Sequence, residues 1–332
     1  MKRVTIKDVA KEAGVSITTV SHALSGKGIL SSETRAYVQS VAKRMNYVPD
    51  LYGSNLRKKS TGNIGLFISS ARGDYYEILI DSMAAACKSR GLTLNVTISD
   101  QHDVMVSHML GGFLDGAAIL SEHIDEQDTE RISRAEFPVV FLDRKIYGTS
   151  TASLLFDAYG EGRIAAEYLL RLGHKRLAYI QGASHNYDSE GRTAGFYTAL
   201  KEAGVSIAEE DVIYGGFDRD LAYHNMIAYL ERTDMHLPDA IFAANDLSAF
   251  GCINALMAKG YRVPEDVSII GCDDVEQSGF YRHSLTTIHT NFEKQGELIV
   301  NKLMDMIQKK EQGEVVQLES YLVERSTCRR KE

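Results

Sequence analysis

From residue 63 nearly to the C-terminus, short apolar runs alternate with helical segments, and no other feature of the 332-residue chain restricts its fold as much. The runs cover residues 64–68, 92–98, 116–120, 139–143 and 153–157, then 176–180, 211–214, 240–244, 268–272 and 286–289. Helical spacing marks residues 75–90, closed by Gly91, and then 160–172, 191–203, 221–231 and 247–259. Strands separated by helices must be joined by crossovers, which give a mostly parallel sheet covered on both faces. About ten strands exceed what one sheet usually holds, so two sheets are expected. A last helix over 292–309 and a last strand over 321–324 remain to cross between them.

The first sixty residues follow another pattern. They hold 11 lysines and arginines against four acids, a net +7, whereas the whole chain carries −8, which leaves −15 on the remainder. A basic head on an acidic body is the charge asymmetry of a nucleic-acid binder that a global pI near 5.7 conceals. Within the head, TIKDVAKEAGVSITTVSHAL reads as two short helices around a tight turn. Thr5 caps the first, with Ile6, Val9, Ala10 and Ala13 inward, and Gly14 ends it in a left-handed conformation that a side chain would resist. Ser16 caps the second, whose inward residues Val20 and Leu24 leave Ile17, Thr18, Ser21 and His22 outward. A third helix over 32–46, capped by Ser31 or Ser32, closes a small core through Val38, Val41, Ala42 and Met45. That is the form of a helix-turn-helix, although an ordinary helical hairpin shows the same periodicity. The basic stretch 47–62 reads as a linker too short to be a stable helix alone.

In order along the chain stand TIKDVAKEAGVSITTVS, NYVPD, IGLFI, FLDR, LGHKRLAYIQG, GRTAGF, AIFAANDLSAFG and VPEDVSIIGCDD. With these motifs the sequence resembles, over essentially its whole length, the lactose-repressor (LacI/GalR) family of bacterial transcription regulators. The resemblance implies an all-α helix-turn-helix head (1–49), a hinge helix or linker (50–62), and an α/β core of two doubly wound parallel-sheet subdomains of periplasmic-binding-protein type. Their expected spans are 63–158 with 290–319, and 159–289 with 320–332. It implies a homodimer on a pseudo-palindromic operator, and an effector between the subdomains. Ile17, Thr18, Ser21 and His22 would face the major groove, where Ile17 suits a thymine methyl and His22 replaces the arginine of many relatives. Thr5, Ser16, Thr19 and Ser31 would be caps or phosphate clamps, which carry no sequence information. Tyr47, Gly53 and Leu56 are the linker-side candidates. Leu56 stands where the family wedges open a minor-groove step, and the glycine at 53 weakens the hinge helix, so that it is expected to form only on DNA.

In open parallel sheets ligands lie beyond the carboxyl ends of the strands. Polar residues follow several of the apolar runs: Asp143 and Arg144, Asn245 and Asp246, Asp273 and Asp274, then Asn291 and Phe292, with Arg192 opening a helix. Each has a structural alternative: an ion pair for Asp143 with Arg144, a helix cap for Asp246, solvation for Asp274. Arg192, Asn245 and Asp273 match the family's effector positions, and Tyr75, Tyr76 or Phe292 can cover the apolar face of a sugar. A sugar or sugar derivative is therefore the expected effector; a nucleobase-responsive regulator and a transport-type binding protein are the rival readings.

Cys87, Cys252, Cys272 and Cys328 show no metal or redox spacing, and no Walker loop, nucleophile elbow or zinc-type histidine pair occurs. An enzyme, a metal and a cofactor are therefore not expected. The charged N-terminus lacks a signal segment, which points to the cytoplasm, and the chain stops too soon after its last strand for an added tetramer-forming helix.

Overall fold

A computed structural model describes residues 4–26, 28–48, 60–233, 236–280 and 283–331. The chain divides into a unit of residues 1–61 and a unit of residues 62–332.

In the first unit, α1 (Ile6–Ala13), α2 (Ile17–Ser25) and α3 (Ser32–Arg44) enclose Val9, Ala10, Ala13, Val20, Ala23, Val38, Val41 and Ala42. Ala23 takes the inward place expected for Leu24, which is half-buried at the edge. α3 ends two residues before the expected limit, because Asn46 turns left-handed at φ 51° and Tyr47 N–H closes back on Ala42 O at 2.9 Å. Of the expected hinge helix or linker over 50–62, residues 50–59, with Asp50, Gly53 and Leu56, lie outside the described residues.

The second unit holds two parallel sheets. The first runs β11-β5-β4-β3-β1-β2, from β1 (Asn63–Ile68), β2 (Thr93–Ile98), β3 (Gly116–Leu120), β4 (Val139–Phe141), β5 (Thr151–Phe156) and β11 (Val315–Leu318). Its helices are α4 (Asp74–Ser89), α5 (His102–Leu110), α6 (Glu126–Arg134) and α11 (Phe292–Ile307). The second runs β7-β6-β8-β9, from β6 (Leu177–Gln181), β7 (Val212–Tyr214), β8 (Ala240–Ala243) and β9 (Ser268–Ile270). It carries α7 (Ala158–Arg171), α8 (Tyr187–Glu202), α9 (Arg219–Leu230) and α10 (Asp246–Ala258). An antiparallel ribbon of β10 (Thr287–His289) and β12 (Tyr321–Val323) adjoins it through a parallel bridge from Ile270 to Thr286. Strand β11 and helices α5 and α6 were not expected from the sequence.

The chain passes between the sheets three times, after β5, β10 and β11, and hydrogen bonds tie these crossings together. Gln317 Nε2 donates to Asp157 Oδ1 at 3.0 Å, Asn291 Nδ2 to Glu319 O at 3.0 Å, and Ser320 Oγ to Glu161 Oε1 at 2.7 Å.

Glycine sets the closest helix pairs. A methyl group at Gly162 of α7 would overlap the carbonyl oxygen of Arg192, and one at Gly195 of α8 would overlap that of Tyr159. Gly195→Ala is therefore expected to force α7 from α8 and to destabilise the core by about 1–3 kcal/mol, a cost typical of overpacking. Urea denaturation reads this; an unchanged midpoint would show that the pair has room to part.

Candidate functional site

The head presents α2 by capping at every turn. Thr5 forms a capping box with Asp8: Thr5 N donates to Asp8 Oδ2 at 2.8 Å, and Asp8 N donates to Thr5 Oγ1 at 3.4 Å. Gly14, at φ 67°, hands the chain to Ser16, whose hydroxyl accepts Thr19 N at 3.0 Å and lies 2.8 Å from Thr19 Oγ1. Ser31 does the same for α3, accepting Thr34 N at 3.1 Å. Thr5, Ser16 and Ser31 thus have their side chains occupied as caps. Ile17, Thr18 and Ser21 are exposed, Ile17 by 45%. His22 is half-buried, with its ring so close to Gly28 that a methyl group there would overlap it. Tyr47 is half-buried at the rim of the three-helix core.

Arg35 of α3 fixes the far end of α2, donating from Nη1 to His22 O at 3.0 Å and from Nη2 to Gly28 O at 3.3 Å. A guanidinium against the last carbonyls of a helix satisfies orphan acceptors and opposes the helix dipole. Arg35→Ala is expected to cost the head about 1–2 kcal/mol and to weaken DNA binding without touching a base, as a melt of the isolated head and a gel shift would record.

In the core the expected effector residues gather where the strands of both sheets end. Arg192, near the start of α8, is 3% exposed. It donates from Nε to Glu161 Oε2 at 2.7 Å, from Nη1 to Ala244 O at 2.6 Å and from Nη2 to Asp273 Oδ1 at 3.2 Å, while Phe217 lies 5.8 Å from its guanidinium. Burial works against its charge, but Cys272, Glu161, Asp273 and Asp188 around it hold its pKa well above the ordinary value. One guanidinium does not offset so many acids. Burial pushes the Asp273 carboxyl up against the pull of Arg192, with Asp246, Glu161 and Asp188 adding to the rise. Asp273 stands at φ 125° and Asp274 at φ 59°, a left-handed pair that turns the first carboxylate toward Arg192.

Asn245, and not Asp246, is the N-cap of α10: its Oδ1 accepts Ser248 N at 2.9 Å, and its Nδ2 reaches Phe217 O at 3.4 Å. Asp246 is fully buried beneath it. Asp274, for which solvation was the structural alternative, is paired, accepting Arg325 Nη2 at 2.6 Å and lying 3.0 Å from His289 Nδ1. Asp143 and Arg144 do form the ion pair, Nε to Oδ1 at 2.8 Å and Nη2 to Oδ2 at 3.0 Å. Arg144 also donates to Ile124 O at 2.5 Å and to Ser121 O at 2.9 Å.

An aromatic cluster lies on the first sheet's side, and its Tyr75 is within electrostatic reach of Asp188 and Asp143. Tyr75 meets Phe292 edge to face at 4.8 Å and Tyr76 at 5.4 Å, and its hydroxyl donates to Gln295 Oε1 at 3.0 Å. Phe292 is buried, while both tyrosines are half-buried. Burial raises the Tyr75 hydroxyl well above its usual pKa, and Asp188, Tyr76 and Asp143 raise it further. Tyr75 of the first sheet's side and Asp188 of the second's are thus electrostatic neighbours. The rims meet at Gly73, where a side chain would touch Leu247.

Sequence reasoning missed Asp188, Glu161 and Phe217. Asp188 sits four residues before Arg192 on α8, a spacing that puts two side chains on one helix face. Burial pushes its carboxyl up to about 7, with Glu161 and Asp143 adding to the rise and Arg192 opposing it. Its Oδ1 is buried without a hydrogen-bond partner.

Among the described residues no group of three His, Cys, Asp or Glu side chains could hold a metal ion, and no helix is long and apolar enough to cross a membrane.

Residues 5–50 match the family model for bacterial regulatory proteins of the lacI family, and residues 166–328 match a periplasmic binding protein-like domain. The HTH-type transcriptional repressor PurR of Serratia proteamaculans (strain 568) is 33% identical over 328 residues, 97% of this chain and 96% of that protein. Its counterpart in Erwinia tasmaniensis is 34% identical over the same length, with the same coverage. Among solved structures, the lac repressor dimer bound to operator and the anti-inducer ONPF aligns at a TM-score of 0.80 and 26% identity, covering 99% of this chain and all of that one. The complex of the transcriptional regulator CelR with cellobiose aligns at 0.74 and 28%, covering 98% of this chain and all of that one. With its capped helix-turn-helix, its paired parallel sheets and relatives matched from end to end, the chain belongs to the lacI family of bacterial regulatory proteins: it is a DNA-binding transcriptional repressor with an effector-binding core.

Proposed function

We propose that the repressor responds to a sugar or sugar derivative held between the two sheets of the core, and acts in the cytoplasm as a homodimer on a pseudo-palindromic operator. The observation that carries the ligand reading is that Tyr75, packed with Tyr76 and Phe292, stands opposite Asp188 of a hydrogen-bonding set that includes Arg192, Asn245 and Asp273. Aromatic rings cover the C–H face of a sugar while carboxylate, amide and guanidinium groups take its hydroxyls in pairs. The CelR neighbour, solved as a complex with cellobiose, is consistent with this. A planar nucleobase is the second reading, favoured by the flat tyrosine faces and by the likeness to PurR repressors. Calorimetry of the full chain against mono- and disaccharides and nucleobases tests it: a sugar is expected to bind, and a purine binding with every sugar silent would overturn the reading.

On the DNA side, Ile17, Thr18, Ser21 and His22 read base edges in the major groove, with Thr19 and the caps Thr5, Ser16 and Ser31 beside the phosphates. Tyr47, Gly53 and Leu56 serve the linker side, Leu56 as the minor-groove wedge. Exposure of Ile17, Thr18 and Ser21 supports this, and Thr18→Ala is expected to alter base preference. Effector binding closes the cleft and shifts operator affinity through unequal affinity for two states. A gel shift on the DNA upstream of the protein's own gene, at two salt concentrations, checks that binding is selective and salt-sensitive.

A further inference from the structure

We propose that the cleft selects against negative charge: it takes a neutral or amine-bearing effector, excludes phosphorylated and carboxylated ones, and uses Asp188 to accept the ligand's amine or hydroxyl hydrogen. The proposal rests on the reading of this cleft as the effector site. Two independent observations carry it.

The first is that both guanidiniums of the cleft are already paired with carboxylates. Arg144 is held in a two-point pair with Asp143 and by the carbonyls of Ile124 and Ser121. Arg192 places three of its five N–H donors on Glu161, Ala244 O and Asp273, so that its charge is matched by two carboxylates. A phosphate or carboxylate would compete for each guanidinium with carboxylates already bound in buried, charge-assisted hydrogen bonds, and any acid it displaced would be left unpaired. The second is Asp188. Its buried Oδ1 has no hydrogen-bond partner, and an acceptor in that state awaits a donor. The charged or titratable groups around it are Arg192 on its own helix, Glu161 of α7, Asp143 after β4, Asp273 after β9 and Tyr75 of α4. Even with Arg144 set against Asp143, carboxyls exceed cations in that set. Burial and the surplus acid raise the Asp188 carboxyl to about 7, so an incoming anion meets repulsion and an incoming ammonium relieves it.

The test is calorimetry on the full chain with matched probes: D-glucose, D-glucosamine, glucose 6-phosphate and glucuronate, the corresponding galactose set, and adenine with adenosine 5′-monophosphate. Binding is expected only from neutral and amine-bearing members. Asp188→Asn is expected to reduce any preference for the amine about tenfold. An anionic member that binds as tightly as its neutral parent overturns the proposal. Adenine binding with its nucleotide and all sugars silent removes the sugar reading and leaves the charge rule standing, so the two fail separately. A ligand-free arm covers a silent panel. A carboxyl whose folded pKa is raised stabilises the fold below its unfolded pKa and loses that contribution as pH rises toward the folded value. The wild-type melting temperature is therefore expected to fall from pH 4 to 7 relative to that of Asp188→Asn. Superimposable curves would show that the carboxyl already has a partner and would overturn the proposal.

Discussion

Replacing Arg192 by alanine is expected to lower the melting temperature of the core by on the order of 10 °C and to abolish the effector's influence on operator affinity. The guanidinium serves three acceptors on three elements: Glu161 on α7, the end of β8 at Ala244, and Asp273 after β9. Without it, two carboxylates stay in a site from which water is largely excluded, and breaking a buried pair from one side typically costs about 3–5 kcal/mol. Arg192→Lys is expected to recover little, because a single ammonium on a flexible stem cannot span a fork fixed by three acceptors. The double variant Arg192→Met with Glu161→Gln separates the two consequences. It removes one of the stranded charges, so much of the stability should return, while the effector response should not. A variant that folds as well as wild type and still responds would show that Arg192 lies outside the regulatory path. Glu161 links that path to the crossings, since its second oxygen accepts Ser320 Oγ between β11 and β12.

What the sequence disclosed follows from the length scale of each interaction. The runs of β1, β3 and β8 were legible because they are buried on both faces and read as unbroken apolar stretches. The three caps of the head were legible because a cap acts within three residues of itself. Strand β11 was not, since Val315–Leu318 buries only Leu318 and carries polar residues like the loops around it. Helix α6 is nine residues long and buries Asp128, Thr129 and Ile132, too few apolar groups to form a stripe. In the cleft, residue types at strand ends located Arg192, Asn245 and Asp273, but not how they are used. Asn245 rather than Asp246 caps α10, a choice decided by the extended backbone of Asn245 at φ −151° and ψ 169°, one residue earlier than composition suggested. Glu161 and Arg192 are 31 residues apart and meet only because Gly162 and Gly195 let α7 and α8 touch. Asp188 reads from sequence as an ordinary acid in a first helical turn, and only burial reveals an acceptor without a donor.

Asp246→Ala is expected to destabilise the core by about 3–5 kcal/mol, because one fully buried carboxylate satisfies three buried donors and each stranded donor costs about 1–3 kcal/mol. Its Oδ2 accepts Ser278 Oγ at 2.6 Å and Val275 N at 3.1 Å, and its Oδ1 accepts Thr287 Oγ1 at 2.5 Å. These bonds fasten α10 to β10 and to the turn that follows β9. That turn carries the left-handed Asp273 toward Arg192, so the same change is expected to weaken effector binding from beneath the site. The pH dependence has a definite sign. Burial raises the Asp246 carboxyl to about 7 against the pull of its three donors. The protonated form is therefore favoured by folding, and stability from this group is greatest below the unfolded carboxyl pKa and declines as pH rises to about 7. Asp246→Asn keeps the shape without the titration, so its deficit relative to wild type should be wider at pH 5 than at pH 7.5 in urea denaturation. A deficit that grows with pH, or an alanine variant as stable as wild type, would mean that Ser278, Val275 and Thr287 find other partners and that the turn holds itself.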